Sequence, residues 1–324
     1  MTNINIKRAV DNIRSGTTVY TPLVETIVNS IQAIEAAKIT SGKVKILVQR
    51  SDQTDLLEGL PGVRNYVVTD NGIGFTSENR KSFDTLYSDY KIEHGGKGFG
   101  RFTCLKYFEE VTVDSVFEED GKHHRRTFGM GLQTDIIVDE KVELVEDLPV
   151  GSTITLNKVK GRGFLDKRLA TIARTLVERL LPYFIDTDYN CPTVEISEEN
   201  GSGTIVLNEF VNNQLSAAIQ EITYPGDTIA LLQGGISHNF KIRIFKIYPP
   251  RNQKSKISLV ADRREVTDTP IHNYIHEFID EFYDDGIDGA ESRDRNYIVK
   301  SYVFGNYLDE NVSLERGGFE FPRP

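Results

Sequence analysis

The chain has no tryptophan, and only two cysteines and two methionines among its 324 residues. Cys104 and Cys191 are far apart and form no CxxC pair, which argues against a structural zinc site or a disulfide framework and fits a reducing cytoplasm. No apolar run approaches the roughly 20 residues of a membrane span, and the N-terminus has no signal-peptide core, so no membrane partner is expected. The formal charge of −10 argues against a generally cationic nucleic-acid surface, although DNA contact through a local basic groove stays open.

The length of the chain is sufficient for two domains with cores of their own. A polar boundary near residues 186–192 predicts domains 1–188 and 189–324. Apolar residues at helical spacing predict a helix over 23–37, and runs of β-formers predict strands that pair mainly antiparallel. The fold class expected is α+β, an α/β sandwich with a mixed, mainly antiparallel sheet, followed by a smaller α+β domain. The same kinds of pattern predict helices over 164–184, 215–222 and 271–282, and strands over 134–138, 193–196 and 297–305.

A hydrophobic strand ends in the sequence Asp70-Asn71-Gly72-Ile73-Gly74. The glycines allow a sharp turn and let a ligand approach the backbone. Asp70 lies where the strand enters the turn, so we expect it to be half-buried and to need hydrogen-bond donors. The exocyclic amino group of adenine is one such donor; a tight turn with a capping aspartate is the alternative.

A second glycine-rich stretch, Gly95-Gly96-Lys97-Gly98-Phe99-Gly100-Arg101, precedes a predicted helix. Free N–H groups at such a helix start point at an anion, and Lys97 and Arg101 add positive charge. The stretch does not match GxxxxGK[ST], and no strand leads directly into it as a dinucleotide fingerprint requires. A phosphate site is one interpretation and an ordinary turn is the other.

Glu25 and Asn29 lie four residues apart on the predicted helix 23–37, so they project from one face, and the small Ala33 continues the line. An asparagine oxygen suits Mg²⁺, and a glutamate can orient or deprotonate a water molecule. A buried polar pair that links the helix to the sheet is the alternative.

The order of these three motifs resembles the GHKL superfamily, whose ATP-binding Bergerat fold is shared by type II topoisomerases, ninety-kilodalton heat-shock chaperones, histidine kinases, MutL and MORC proteins. The segment Glu25–Ala33 resembles the N-box helix, which ends here in Gln32-Ala33 where the family usually has Asp-Ala. Asp70, Gly72 and Gly74 match the first glycine box. Gly96, Gly98 and Gly100 match the second, and Gly151-Ser152 stands where the family has Gly-Thr.

The resemblance implies ATP and Mg²⁺ as cofactors and a role for each matched residue. Glu25 would activate the hydrolytic water, Asn29 would coordinate Mg²⁺, and Asp70 would bind adenine with the support of Ser152. Further nucleotide contacts would come from the small or backbone positions of the motifs: Ala33, Gly72, Gly74, Gly96, Gly98, Phe99 and Gly100. From their position beside these glycines, and not from the family pattern, Lys97 and Arg101 are expected to approach the phosphates. A lid over roughly 75–94 would order on ATP binding.

The second domain resembles more weakly the transducer domain of the topoisomerase, MutL and chaperone branches, in which a basic residue reaches the γ-phosphate. Arg316 is one candidate for that residue, and Lys254 or Lys256 is the other. The resemblance implies Mg-dependent ATP hydrolysis as a conformational and dimerisation switch, within a larger bacterial machine for DNA transactions or anti-phage defence. A C-terminal effector domain or a partner protein would complete it. Two alternatives remain: a nucleotide-gated scaffold with negligible hydrolysis, and a histidine-kinase-like phosphotransfer domain.

Overall fold

The computed structural model describes residues 17–51, 60–84, 100–131, 135–161, 166–211, 218–223, 226, 228–233, 235–284, 296–313 and 318–322. The chain divides into two compact units, one of residues 1–179 with 190–208 and one of residues 180–189 with 209–324. The division passes through the helix that covers residues 169–185, so both units contain part of it. The domain boundary at 188 stays a prediction.

The first unit contains three helices at the candidate site. They are α1 (Tyr20–Ala37), α2 (Ser77–Asp84) and α3 (Gly100–Tyr107). Helix α1 begins at a turn in which the Thr21 N–H donates to the Thr18 carbonyl at 2.9 Å. It buries Leu23, Ile27 and Ile31 completely, which confirms the predicted apolar face. The helix ends where Lys38 adopts a left-handed conformation, which cannot continue a right-handed helix.

Eight strands of the described chain form the first sheet, in the order β5-β4-β3-β6-β2-β1-β7-β8. Their bounds are β1 Lys43–Arg50, β2 Val63–Asp70, β3 Phe108–Glu119, β4 Lys122–Met130, β5 Ile137–Val145, β6 Gly151–Val159, β7 Thr193–Glu198 and β8 Thr204–Val206. All neighbours pair antiparallel except β1 and β7, which pair parallel. The predicted fold class, α+β with a mixed and mainly antiparallel sheet, is therefore confirmed.

The second unit contains a seven-stranded sheet among its described residues, in which β12 and β15 pair parallel and the other neighbours pair antiparallel. Its strands are β9 Ile219–Glu221, β10 Thr228–Gln233, β11 Ile236–Ile247, β12 Lys256–Ala261, β13 Arg264–Pro270, β14 Phe282–Tyr283 and β15 Asn296–Phe304. Helix α4 (Leu169–Ile185) spans the division between the units, and α5 (Asn306–Glu310) follows β15.

Several segments differ from prediction in secondary structure, in bounds or in the sheet that they join, among them the helix expected over 164–184, which begins at Leu169. The helix expected over 271–282 is two short 3₁₀ turns, Ile271–Asn273 and His276–Ile279, followed by β14. Residues 219–221, expected to be helical, form β9 because they pair with β11. The strand expected over 134–138 begins only at Ile137. Strand β7, expected in the second domain, joins the first sheet because it pairs parallel with β1, a partner about 150 residues earlier that local pattern cannot reveal.

Candidate functional site

The buried carboxylate of Asp70 is the centre of the candidate site. Alternation along β2 turns Tyr66, Val68 and Asp70 to the same, buried face, so the last inward position of an apolar strand carries a charge. The Gly72 N–H donates to Oδ1 at 2.9 Å and the Ser30 hydroxyl donates to Oδ2 at 2.8 Å. The Ser152 N–H also donates to this carboxyl group. A buried carboxylate needs such donors, and here three separate elements supply them.

Burial raises the pKa of Asp70 to about 6, against the opposing effect of the hydrogen bonds from Gly72, Ser30 and Ser152. The effect of desolvation on the pKa is larger than the combined opposite effect of the three hydrogen bonds. At pH 7 and above the group is ionised and accepts hydrogen bonds only. Asp70 can therefore accept one more donor from a ligand at its remaining lone pairs.

Helix α1 and the glycine turn approach each other too closely for side chains. A Cβ atom added at Gly72 would lie 2.6 Å from the Ala33 carbonyl carbon and 2.7 Å from the Ala33 Cβ. The Ile73 N–H donates to the Ala33 carbonyl oxygen at 3.1 Å. Gly72 and Ala33 are therefore the pair of small residues that seats the turn against the helix, and neither side chain can reach a ligand as a polar group.

The start of β6 is equally close to the turn. A Cβ atom at Gly151, whose φ is +152°, would lie 2.2 Å from the Asp70 carbonyl oxygen. This approach places Ser152 directly opposite Asp70 in the β2–β6 register. The sequence motif Gly-Ser at this position is thus explained by geometry: the glycine permits the approach and the serine faces the carboxylate's side of the sheet.

Four polar side chains lie in one row across the sheet, a feature that we call the polar row: Asp70, Ser152, Ser115 and Arg126. The register pairs Asp70 with Ser152, Ser152 with Ser115, and Ser115 with Arg126, and directly opposed residues share a face. All are buried, with exposed fractions of 6%, 7%, 1% and 5% in that order. The Ser152 and Ser115 hydroxyls lie 2.9 Å apart. The row ends at Glu140, whose Oε1 lies 3.2 Å from the Arg126 Nε.

Phe75, directly after the glycine turn, is bound at both of its backbone polar groups. Its N–H donates to the Ser115 Oγ at 2.7 Å, and its carbonyl accepts from the Arg126 guanidinium at 2.5 Å. Its ring packs at 5.3 Å from that of Phe83 and at 5.1 Å from that of Phe128. Residues 75–84 of the expected lid are therefore packed onto β3 and β4, and residues 85–94 lie outside the described residues.

The two candidate residues of the N-box segment lie on α1, beside the donor to Asp70. Asn29 is exposed and precedes Ser30, while Glu25 is half-buried one turn earlier. Burial first, and the Glu25 carboxylate second, raise the pKa of Cys104 on α3 to about 12, and Thr26 hydrogen-bonds to that thiol. Glu25 therefore lies where α1 packs against α3, the helix that follows the second glycine stretch.

Several predicted residues cannot be placed. Gly96, Lys97, Gly98, Phe99 and Arg316 lie outside the described residues. Gly100 is the first residue of α3, as its position before a helix predicts, and the side chain of Arg101 is not described. Gly74 has a φ of +75°, and a Cβ there would lie 2.2 Å from the Val116 carbonyl oxygen.

The two lysines considered for the γ-phosphate differ in their surroundings. Lys256 lies 3.0 Å from a Glu265 oxygen and 2.6 Å from an Asp268 oxygen, so its charge is already matched within the β12–β13 hairpin. Lys254 is exposed. The identity of the basic residue at the γ-phosphate stays a prediction.

Sequence reasoning missed three residues of the site: Ser30, Ser115 and Arg126. Ser30 has a detectable signal, because it follows Asn29 and lies on the buried side of an amphipathic helix. Ser115 and Arg126 have none in the local pattern, because their place in the polar row depends on the registers of β3, β4 and β6.

In the described part of the chain, no group of three or more His, Cys, Asp or Glu side chains is arranged to hold a metal ion. No described helix is long and apolar enough to cross a membrane.

No protein-family model matches the chain, and no curated protein matches it. Three solved structures are similar to it. The N-terminal domain of a DNA repair protein is 12% identical, covers 82% of this chain and 78% of its own, and has a TM-score of 0.46. The ATPase region of Saccharomyces cerevisiae topoisomerase II bound to dexrazoxane is 12% identical, with 93% and 77% covered and a TM-score of 0.49. The 43K ATPase domain of Thermus thermophilus gyrase B with an aminocoumarin is 15% identical, with 88% and 75% covered and a TM-score of 0.43. With TM-scores below 0.5, these likenesses carry no weight for the function, which depends on the geometry of the site.

Proposed function

We propose that this chain binds ATP with Mg²⁺ at the turn between β2 and α2 and hydrolyses it. The observation that carries the proposal is the buried carboxylate of Asp70, held by Ser30, Gly72 and Ser152. A fold does not keep a desolvated charge without cost, and an acceptor at a glycine turn suits the amino group of adenine. The order of the three motifs, which resembles that of GHKL ATPases, supports the same function.

The helix α1 would connect base recognition with phosphate chemistry. Ser30 donates to Asp70, so the neighbouring Asn29 and the preceding turn with Glu25 extend away from the base along one helix. One helical turn is about 5.4 Å, a length comparable to the spacing between the base, the ribose and the phosphates of a nucleotide. Glu25 would position and polarise the attacking water, and most of the rate enhancement would come from positioning and charge neutralisation.

The residues present fit Mg²⁺ as the phosphates' counterion. Asn29 is an exposed residue, and an asparagine oxygen is a neutral ligand of the kind that Mg²⁺ accepts. A Mg²⁺ ion bound with a nucleotide takes most of its ligands from substrate phosphates and water. When bound, the ion would neutralise phosphate charge, and Asn29 would hold its position.

Hydrolysis is tested by phosphate release from Mg-ATP with the wild-type chain and the Glu25→Ala variant. We expect the variant to bind ATP with wild-type affinity and to lose turnover by about 10²-fold or more, the usual contribution of a positioned acid–base group. Glu35→Ala is the matched control, since Glu35 lies on the same helix, about 15 Å from Glu25 along the helix axis. Wild-type turnover by Glu25→Ala would show that Glu25 takes no part in the mechanism. A slow rate of hydrolysis that is the same in both proteins would favour a nucleotide-gated scaffold.

We further propose that ATP acts as a switch that brings two copies of the chain together, within a larger machine for DNA transactions or anti-phage defence. The resemblance to GHKL ATPases supports this part of the proposal. Size-exclusion chromatography with light scattering, with and without a non-hydrolysable ATP analogue, tests it. A mass that stays that of one chain when the analogue is bound would contradict the dimerisation.

A further inference from the structure

Ser115 is a buried serine of β3 whose hydroxyl has three partners. It accepts from the Phe75 N–H at 2.7 Å, lies 3.0 Å from the Gly151 carbonyl oxygen, and lies 2.9 Å from the Ser152 hydroxyl. A serine hydroxyl has one hydrogen and two lone pairs. The three contacts therefore use its full capacity, and the direction of each can be assigned by counting hydrogens.

The count fixes the direction of the contact between the two serines. The Phe75 N–H is a donor only, so Ser115 accepts from it. The Gly151 carbonyl is an acceptor only, so Ser115 must give it its single hydrogen. Toward Ser152 only a lone pair of Ser115 is left, and the Ser152 hydroxyl must be the donor.

The hydrogen of Ser152 is thus directed along the sheet to Ser115, and its lone pairs are left for other partners. Ser152 lies opposite Asp70 in the register, where directly opposed Cβ atoms are about 5 Å apart. Ionised Asp70 is also an acceptor. Two acceptors side by side suit a group that carries two N–H donors and repel a carbonyl oxygen.

We propose that Ser115 is a positioning residue that sets base selectivity, by holding the Ser152 hydroxyl as an acceptor. The inference rests on the proposed function, because it assumes that a purine lies at Asp70. Ser115 does not touch the ligand in this arrangement, and hypoxanthine is the base that it excludes. Adenine presents a 6-amino group to the two acceptors, whereas hypoxanthine presents a 6-oxo group and is rejected.

The assignment predicts the effect of removing Ser115. In Ser115→Ala, the Ser152 hydroxyl loses its acceptor and is free to rotate and donate to a 6-oxo group. The dissociation constants of the full chain for ADP and IDP, both with Mg²⁺, are measured by titration calorimetry. We expect the preference for ADP over IDP to fall about tenfold, the change that corresponds to one reoriented hydrogen bond.

Two further variants separate this effect from a loss of structure. Ser258→Ala removes another fully buried serine hydroxyl, one that donates to Glu265 at 3.1 Å, and should leave the ADP-to-IDP ratio at the wild-type value. Ser152→Ala keeps the bonds of Ser115 to Phe75 and Gly151, so it serves if Ser115→Ala does not fold. It should weaken ADP binding without weakening IDP binding, and so lower the preference for ADP over IDP as well.

Equal losses for ADP and IDP in Ser115→Ala would reduce Ser115 to a structural role and overturn the inference. An unchanged preference for ADP over IDP in Ser152→Ala would overturn the inference also. In both cases the wild-type chain still binds ADP, so the proposed function stands. A wild-type chain that binds neither ADP nor ATP would instead refute the proposed function, and the inference with it.

Discussion

Replacing Asp70 by asparagine should remove the pH dependence that this one buried carboxyl group gives to the stability of the protein. Burial raises the pKa of Asp70 from 3.8 to about 6 in the folded chain. A carboxyl group with a raised folded-state pKa contributes stability that is fully present below the unfolded pKa and is lost as pH rises through the folded one. At neutral pH the ionised Asp70 carboxylate therefore destabilises the wild-type fold, and Asp70→Asn lacks this destabilising charge.

The size of the effect follows from the two pKa values. With a folded pKa of about 6 and an unfolded one of 3.8, the Asp70 contribution to the free energy of unfolding falls by about 1.4 kcal/mol between about pH 5 and about pH 8. Asparagine can still accept from the Gly72 N–H through Oδ1, and its amide can donate to the Ser30 oxygen. Any remaining cost of imperfect hydrogen bonds is independent of pH and cancels when two pH values are compared.

The measurement is urea unfolding of both proteins at the two pH values, followed by far-ultraviolet circular dichroism because the chain has no tryptophan. The free-energy difference between wild type and Asp70→Asn should shift by about 1.4 kcal/mol in favour of the variant as pH rises. A difference that is the same at both pH values would show that the carboxylate is not desolvated. Binding of an ATP analogue should be lost in the variant at every pH, and in the wild type it should weaken below about pH 6 as Asp70 becomes protonated.

Two backbone positions give further predictions, both measured by urea unfolding at pH 7. Gly151→Ala should destabilise by about 2–4 kcal/mol, because the added Cβ would lie 2.2 Å from the Asp70 carbonyl oxygen and would cause both a clash and backbone strain. In Gly161→Ala, φ is +77° and no atom of the described residues lies within 4 Å of the added Cβ, so strain alone should cost about 1 kcal/mol. Equal losses in the two variants would contradict the close approach at Gly151. Lys38→Gly should stabilise by about 0.5–1 kcal/mol, because Lys38 ends α1 with a φ of 54° that glycine adopts without penalty; Lys38→Ala keeps the Cβ and should give no such gain.

The parts of the fold that local pattern decides were predictable from the sequence. Helix α1 follows from Leu23, Ile27 and Ile31 at helical spacing, and the turn at Asp70 follows from a strand that ends in glycines. The segment 271–282 was predicted wrongly as a helix because its apolar residues fall at helical spacing. There the Ile271 N–H donates at 3.1 Å to the carbonyl of Ser255, the residue before β12, and the chain forms only short 3₁₀ turns.

The polar row shows why the remainder of the site could not be predicted from the sequence. Its members follow one another across the sheet as Asp70, Ser152, Ser115 and Arg126, an order unrelated to their order in the chain. A shift of one residue in any of these strands would turn its member of the row to the opposite face. The close approach of Gly151 to Asp70 opposes such a shift in β6, because only glycine fits at that point. The residue that lets the strands meet therefore also determines which hydroxyl lies beside the carboxylate, so that stability and the proposed base recognition depend on the same register.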